Sequence, residues 1–126
     1  MAVTYSSTVK DSRMTVVLNA VDAGAAAGYA EICSAAYASV LATITLADPC
    51  GSVSSGVLTF TMPKSDTSAD ATGTAAIARI KDSDGNVVIS GLTVGVTGSG
   101  SDLEFTSVSF TATDTVTLSS AAITHA

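Results

Sequence analysis

The stretch ARIKDSDGNVVISG, Ala78 to Gly91, decides how this chain is read, because its centre is the one segment that gathers several metal-type ligands. Those ligands lie within Asp82-Ser83-Asp84-Gly85-Asn86. A calcium loop of the EF-hand type starting at Asp82 needs glycine at its sixth position and a bidentate glutamate at its twelfth. Here the glycine, Gly85, is fourth and the twelfth residue is Thr93. Asp84-Gly85 sits instead between two β-rich runs, where that dipeptide supplies the positive-φ geometry of a tight hairpin turn. The stretch therefore predicts a hairpin, and a period of two.

The same period runs outward in both directions. Upstream, YAEIC (Tyr29 to Cys33) reads as a strand, and VLATITLA places Val40, Ala42, Ile44 and Leu46 on one face. Asp48-Pro49-Cys50-Gly51 breaks that run. In GVLTFTMP, Leu58, Phe60 and Met62 alternate with Thr59 and Thr61 until Pro63 ends the strand. The polar stretch KSDTSADATG, Lys64 to Gly73, predicts a long exposed loop. Downstream of the hairpin the apolar parity changes at Gly91, from Val87 and Ile89 to Leu92, Val94 and Val96, which predicts a β-bulge or strand boundary. TGSGSD (Thr97 to Asp102) is a loop, a second slip of parity predicts a kink near Thr106, and TVTLSSAAITH closes the chain.

One helix precedes these strands. Thr8 with Asp11 forms a capping-box-like start, and Met14, Val17, Leu18 and Val21 share one helical face up to the stop at Gly24. The reading is thus an all-β fold, an antiparallel β-sandwich of jelly-roll-like form with about eight strands and one short N-terminal α-helix. Residues 1–7 form an N-terminal arm, and residues 8–126 a single domain with its helix at 9–22.

Composition narrows the function. Of 126 residues, 47% are hydrophobic and only 13% charged, against a usual charged share of about 25%. Few residues remain to solvate the surface, so part of it is expected to be covered by a partner or a second copy. The net charge of −6 rests on five cations, Lys10, Arg13, Lys64, Arg79 and Lys81. Nucleic-acid binding, which needs a basic patch, is not expected. No apolar run reaches the 18 or so residues that span a bilayer, and no leader-like h-region opens the chain, so no membrane contact and synthesis in a cytoplasm are expected.

Site chemistry is sparse. The single histidine, His125, stands one residue from the end, where a Ser-His-Asp relay has no support. With two cysteines, Cys33 and Cys50, neither a zinc site nor a disulfide framework is expected, and both read as reduced, partly buried residues. Glu31 and Glu104 lie opposite in parity to their apolar neighbours and are expected to face solvent or a subunit contact. No catalytic, cofactor-binding or metal-ligating residue is expected.

The order SRMTVVLNAVDAG, AEICSA, LATITLADPCGSVSSGVLTF, SADATGTAAIARIKDSDGNVVISG and VTLSSAAITHA resembles that of small structural proteins of tailed bacteriophages and prophages, from about Ser12 onward. SADATGTA followed by RIKDSDG is the most specific part. The resemblance implies a virion component: a capsid decoration or cement protein on the outer surface of the head, or a neck or tail accessory. Its implied partners are the major capsid protein or another virion protein, with homo-oligomerisation. A carbohydrate-binding sandwich of a tail or fibre is the alternative. The polar arm and the 64–73 loop are the segments expected to reach neighbours, with Thr4, Tyr5, Lys64, Asp66 and Asp70 as candidate partner-binding residues.

Overall fold

The computed structural model describes residues 3–124 of the chain. Its one α-helix, α1 (Ser7–Val21), is followed by β1 (Tyr29–Cys33), a single 3-10 turn at Ala35–Tyr37, β2 (Val40–Thr45), β3 (Gly51–Ser54), β4 (Val57–Phe60) and β5 (Lys64–Asp66). Then come β6 (Gly73–Thr74), β7 (Ile77–Lys81), β8 (Val87–Val96), β9 (Leu103–Phe105), β10 (Ser109–Phe110) and β11 (Val116–Thr124). The protein is all-β with one N-terminal helix.

Eight strands form a curled, mixed sheet, a half-barrel, in the order β2-β1-β7-β8-β9-β11-β4-β3. β5 joins it by pairing with the first half of β11, and β6 with β10 makes a separate small ribbon. Every pair is antiparallel except β8 with β9, which run parallel. The expectation of a purely antiparallel sheet is corrected there. A parallel return usually needs a dozen or more residues, yet here 97–102 suffice. Glu104 accepts the N–H groups of Gly98 (3.4 Å) and Gly100 (2.8 Å), and Asp102 accepts that of Thr93 (3.0 Å), which holds the short return in place.

The deciding stretch is a hairpin. β7 and β8 pair around residues 82–86, where Gly85 has φ 88° and its N–H reaches the Asp82 carbonyl at 3.1 Å. The Asp82 carboxylate takes up the N–H groups of Asp84 (3.0 Å) and Asn86 (2.9 Å) and the Asn86 amide (3.1 Å). At the predicted slip the partners jump from Ile80↔Ile89 to Ala78↔Leu92, a bulge centred on Gly91 with φ 74°. The predicted break near Thr106 separates β9 from β10.

The helix runs Ser7–Val21 rather than 9–22, and its cap is Ser6, whose Oγ accepts the Val9 N–H at 3.3 Å. Thr8 lies inside the helix. Asp11, expected to complete a capping box, turns outward to accept the Gly56 N–H at 2.6 Å, tying the helix to the β3–β4 turn. At the other end Asp22 accepts the Cys50 N–H at 3.0 Å. Between these ties Met14 and Val21 are buried, with Val17 and Leu18 packed beside them. Each buried aliphatic contributes roughly 1.5–3 kcal/mol, so the inner face outweighs the exposed one in fixing α1.

Strands β3, β5 and β6 bring the total above the eight expected. The polar GSVSS hides β3, which is built by the two-residue Ser55-Gly56 turn with both residues at positive φ. β5 and β6 come from the segment expected to be an exposed loop.

Candidate functional site

That segment, residues 64–73, is stitched to the body instead. The Asp66 carboxylate accepts the Thr43 N–H of β2 through Oδ2 at 3.0 Å and the Ser68 N–H through Oδ1 at 3.0 Å. Asp70 accepts the Thr43 hydroxyl at 3.1 Å and donates its own N–H to the Leu41 carbonyl at 2.8 Å. Ala69, buried at its centre, exchanges backbone bonds with Asp114 (2.8 Å) and Thr113 (2.9 Å). The half-barrel is nearly closed by a side chain: β5 is laddered to β11, and Asp66 supplies the rung to β2.

Of the candidate partner-binding residues, Lys64, Asp66 and Asp70 therefore meet at the seam between β2 and β5, with Lys64 half-buried opposite Leu118. Asp66 is committed to the fold. Thr4 and Tyr5 lie elsewhere, exposed ahead of α1, and the Arg13 guanidinium stands 4.2 Å above the Tyr5 ring. Met1, Ala2 and His125 fall outside the described residues.

Glu31 and Glu104, expected to face solvent or a subunit contact, are both engaged within the chain. Glu104 caps the glycine turn described above. Glu31, directly across from Arg79, binds its Nε at 2.6 Å and the Lys81 Nζ at 3.0 Å. Burial pushes the Glu31 carboxyl up, but the two cations outweigh it and hold the group below its ordinary value. The same hydrogen bond raises the Arg79 guanidinium. Arg79 also lies 5.1 Å over the Tyr37 ring, and the Tyr37 hydroxyl accepts the Gly91 N–H at 2.6 Å, filling the bulge. The Glu31-Arg79 pairing was signalled by the shared outward parity of Glu31, Arg79 and Lys81, while Tyr37 in its irregular turn left no such sign. This cluster is internally neutralised down to one net positive charge and joins β1, β7 and β8.

Cys33 and Cys50 are free and fully buried. Burial and the neighbouring Asp22 carboxylate push the Cys50 thiol up to about 12, so it is a core side chain with no thiolate chemistry near neutral pH. Among the described residues no three metal-type ligands gather, and no helix is long and apolar enough to cross a membrane.

Two surface features remain. The first is apolar: Val9 (41% exposed) and Val16 (67%) lie one above the other on the outer face of α1, continued by Val3 and Tyr5. The helix packs by its other face against β4 and β3, the open end of the sheet, whereas the opposite end, β2, is sealed by Asp66 and Asp70. The second is a half-open cleft of about 80 Å³ beside the start of β11. Its floor is Phe105, Phe110 and Val116, with the two rings edge to face at 5.3 Å, and its rim is hydroxyl-rich with one carboxylate, Asp114. Comparison of the chain with protein-family models, curated proteins and solved structures gave no match.

Proposed function

We propose that this protein is a structural subunit of a tailed-phage particle, a decoration or cement protein of the head, that acts by burying surface across neighbouring shell subunits. The resemblance of its segments to small virion proteins gives the setting. The observation that carries the mode of action is the exposure of Val9 and Val16 on the outer face of α1, the helix that packs against the sheet at its open edge strand β3. Exposed apolar side chains next to an open edge make a surface that favours being covered. It favours the α1 and β3 side for the contact over the 64–73 segment, which is fastened down. Many copies on a repeating shell need only modest single contacts.

The test is co-sedimentation of the purified protein with capsids that lack it, followed by an osmotic or thermal challenge. Saturable binding with greater capsid resistance is the expected result. Capsids that neither bind nor gain resistance overturn the cement reading and leave the neck, tail and glycan-binding roles.

A further inference from the structure

The apolar floor of the cleft and the exposed segment ahead of α1 are complementary, and they sit at opposite ends of the molecule. The cleft lies where β11 begins, at Val116. The first turn of α1 lies over the β3–β4 turn, through Asp11 and the Lys10 side chain against Gly56, and Val57 of that turn pairs with Thr124 at the far end of β11. Eight residues of strand separate the two ends, about 26 Å at roughly 3.3 Å per residue. Residues 3–6, fully extended, span at most about 14 Å. Adding the roughly 6 Å of helix between Ser7 and Asp11 still leaves them short. A chain therefore does not fill its own cleft.

We infer that the segment Val3-Thr4-Tyr5 of one copy docks into the cleft of a second copy, linking subunits head to tail. Val3, at 76% the most exposed large apolar residue described, is the anchor for the Phe105, Phe110 and Val116 floor. The cleft volume suits one branched aliphatic side chain or a few waters. Tyr5 brings the Arg13 guanidinium with it, and the carboxylate at the rim, Asp114, is of the opposite sign. Donor and acceptor are different surfaces, so the contact is heterologous and builds a ring or an open chain rather than a two-fold dimer. The inference is independent of the shell reading, since it requires association in free solution without capsids.

Sedimentation of the full chain from roughly micromolar to millimolar concentration is the first measurement. The discriminating one uses two variants, Val3→Asp, which spoils the donor, and Thr106→Trp, which fills the cleft from its exposed rim. Circular dichroism melts check that both fold. Each variant alone is expected to be monomeric, whereas their mixture forms a 1:1 heterodimer, because one retains the cleft and the other the arm. Asp114→Lys is expected to weaken wild-type association about tenfold. A wild type monomeric throughout, variants that still self-associate, or a mixture that stays monomeric each overturns the inference. So does a monomer whose cleft resonances respond to an added oligosaccharide, which assigns the cleft to a carbohydrate.

Discussion

Replacing Asp66 with alanine removes the side chain that supplies the backbone rung between β5 and β2. The substitution removes two carboxylate hydrogen bonds, to Thr43 N–H and Ser68 N–H, both 3.0 Å long. Hydrogen bonds to charged groups contribute roughly 1.5–3 kcal/mol each. Asp66 is half-buried, so water replaces part of what is lost, and the low end gives about 3 kcal/mol for the pair. An unfolding entropy of about 2.1 cal/mol/K per residue over this chain makes that a fall in Tm of about 11 °C.

Asp70→Ala is the internal control. It deletes one exposed contact to the Thr43 hydroxyl, worth about 0.5 kcal/mol or less. Asp66→Asn, which keeps one acceptor oxygen, falls about midway. Urea unfolding at neutral pH reads all three as shifts of midpoint at constant slope. If Asp66→Ala lies within about 0.5 kcal/mol of wild type, or matches Asp70→Ala, the seam between β2 and β5 is not held as argued.

At the bulge, Gly91→Ala places a side chain at φ 74° in open space, so only backbone strain is added, about 1–2 kcal/mol; a neutral result in urea would refute the assignment of the bulge to this residue. Tyr37→Phe leaves the Gly91 N–H without its acceptor and is expected to cost about 1 kcal/mol, less than additively with Gly91→Ala. Cys33 and Cys50 are expected to resist a thiol reagent in the native state and to label at the rate of unfolding, and fast native labelling of either would contradict their burial. Asp82 is held below its ordinary value by the N–H and side-chain bonds from Asn86, and Glu31 by Arg79 and Lys81, which outweigh its burial. A folded value below the unfolded one gives stability that is complete above the ordinary carboxylate range, near pH 4, and is lost as pH falls through the folded values. The urea midpoints of wild type and Asp82→Ala should therefore differ at neutral pH and converge on acidification, and a gap that stays constant would count against the turn network.

Where local chemistry and tertiary packing agree, the chain was readable. Tyr29–Cys33 alternates by itself, Asp84-Gly85 fits only a tight turn, and the parity slip at Gly91 is a backbone event written in apolar spacing. The 64–73 segment was misread because serine, threonine, aspartate and glycine look the same whether solvated or used as caps. Its pairing is non-local: Asp66 answers Thr43, and Lys64 sits opposite Leu118. The short parallel return from β8 to β9 was hidden because a polar, glycine-rich loop reads the same whether or not Glu104 caps its amides. Asp66 and Asp70, chosen as candidate partner residues for their polarity, are thus fold-forming groups, and the exposed valines of α1 were absorbed into a helix read for its buried face alone.

The carboxylates change the meaning of the net charge. Asp11, Asp22, Asp66, Asp82, Asp102 and Glu104 all accept backbone N–H groups, Asp70 accepts the Thr43 hydroxyl, and Glu31 is held by two cations, so eight of the eleven acids are committed within the molecule. A charge of −6 is then less a docking surface than the residue of a fold that uses carboxylates to finish its turns and edges. Contact with a shell should accordingly depend on apolar area more than on exposed acids. Val9→Ser and Val16→Ser, both on the outer face of α1, are expected to leave stability within about 0.5 kcal/mol. Each should weaken capsid binding about tenfold, since burying a valine is worth about 1.5 kcal/mol. Asp48→Asn and Asp84→Asn, exposed acids past the C-terminal end of α1 rather than on its outer face, should change binding by less than about twofold. Co-sedimentation isotherms at low and high salt separate the two. Valine variants that bind like wild type, beside aspartate variants that do not, would move the contact off the outer face of the helix and onto the exposed acids.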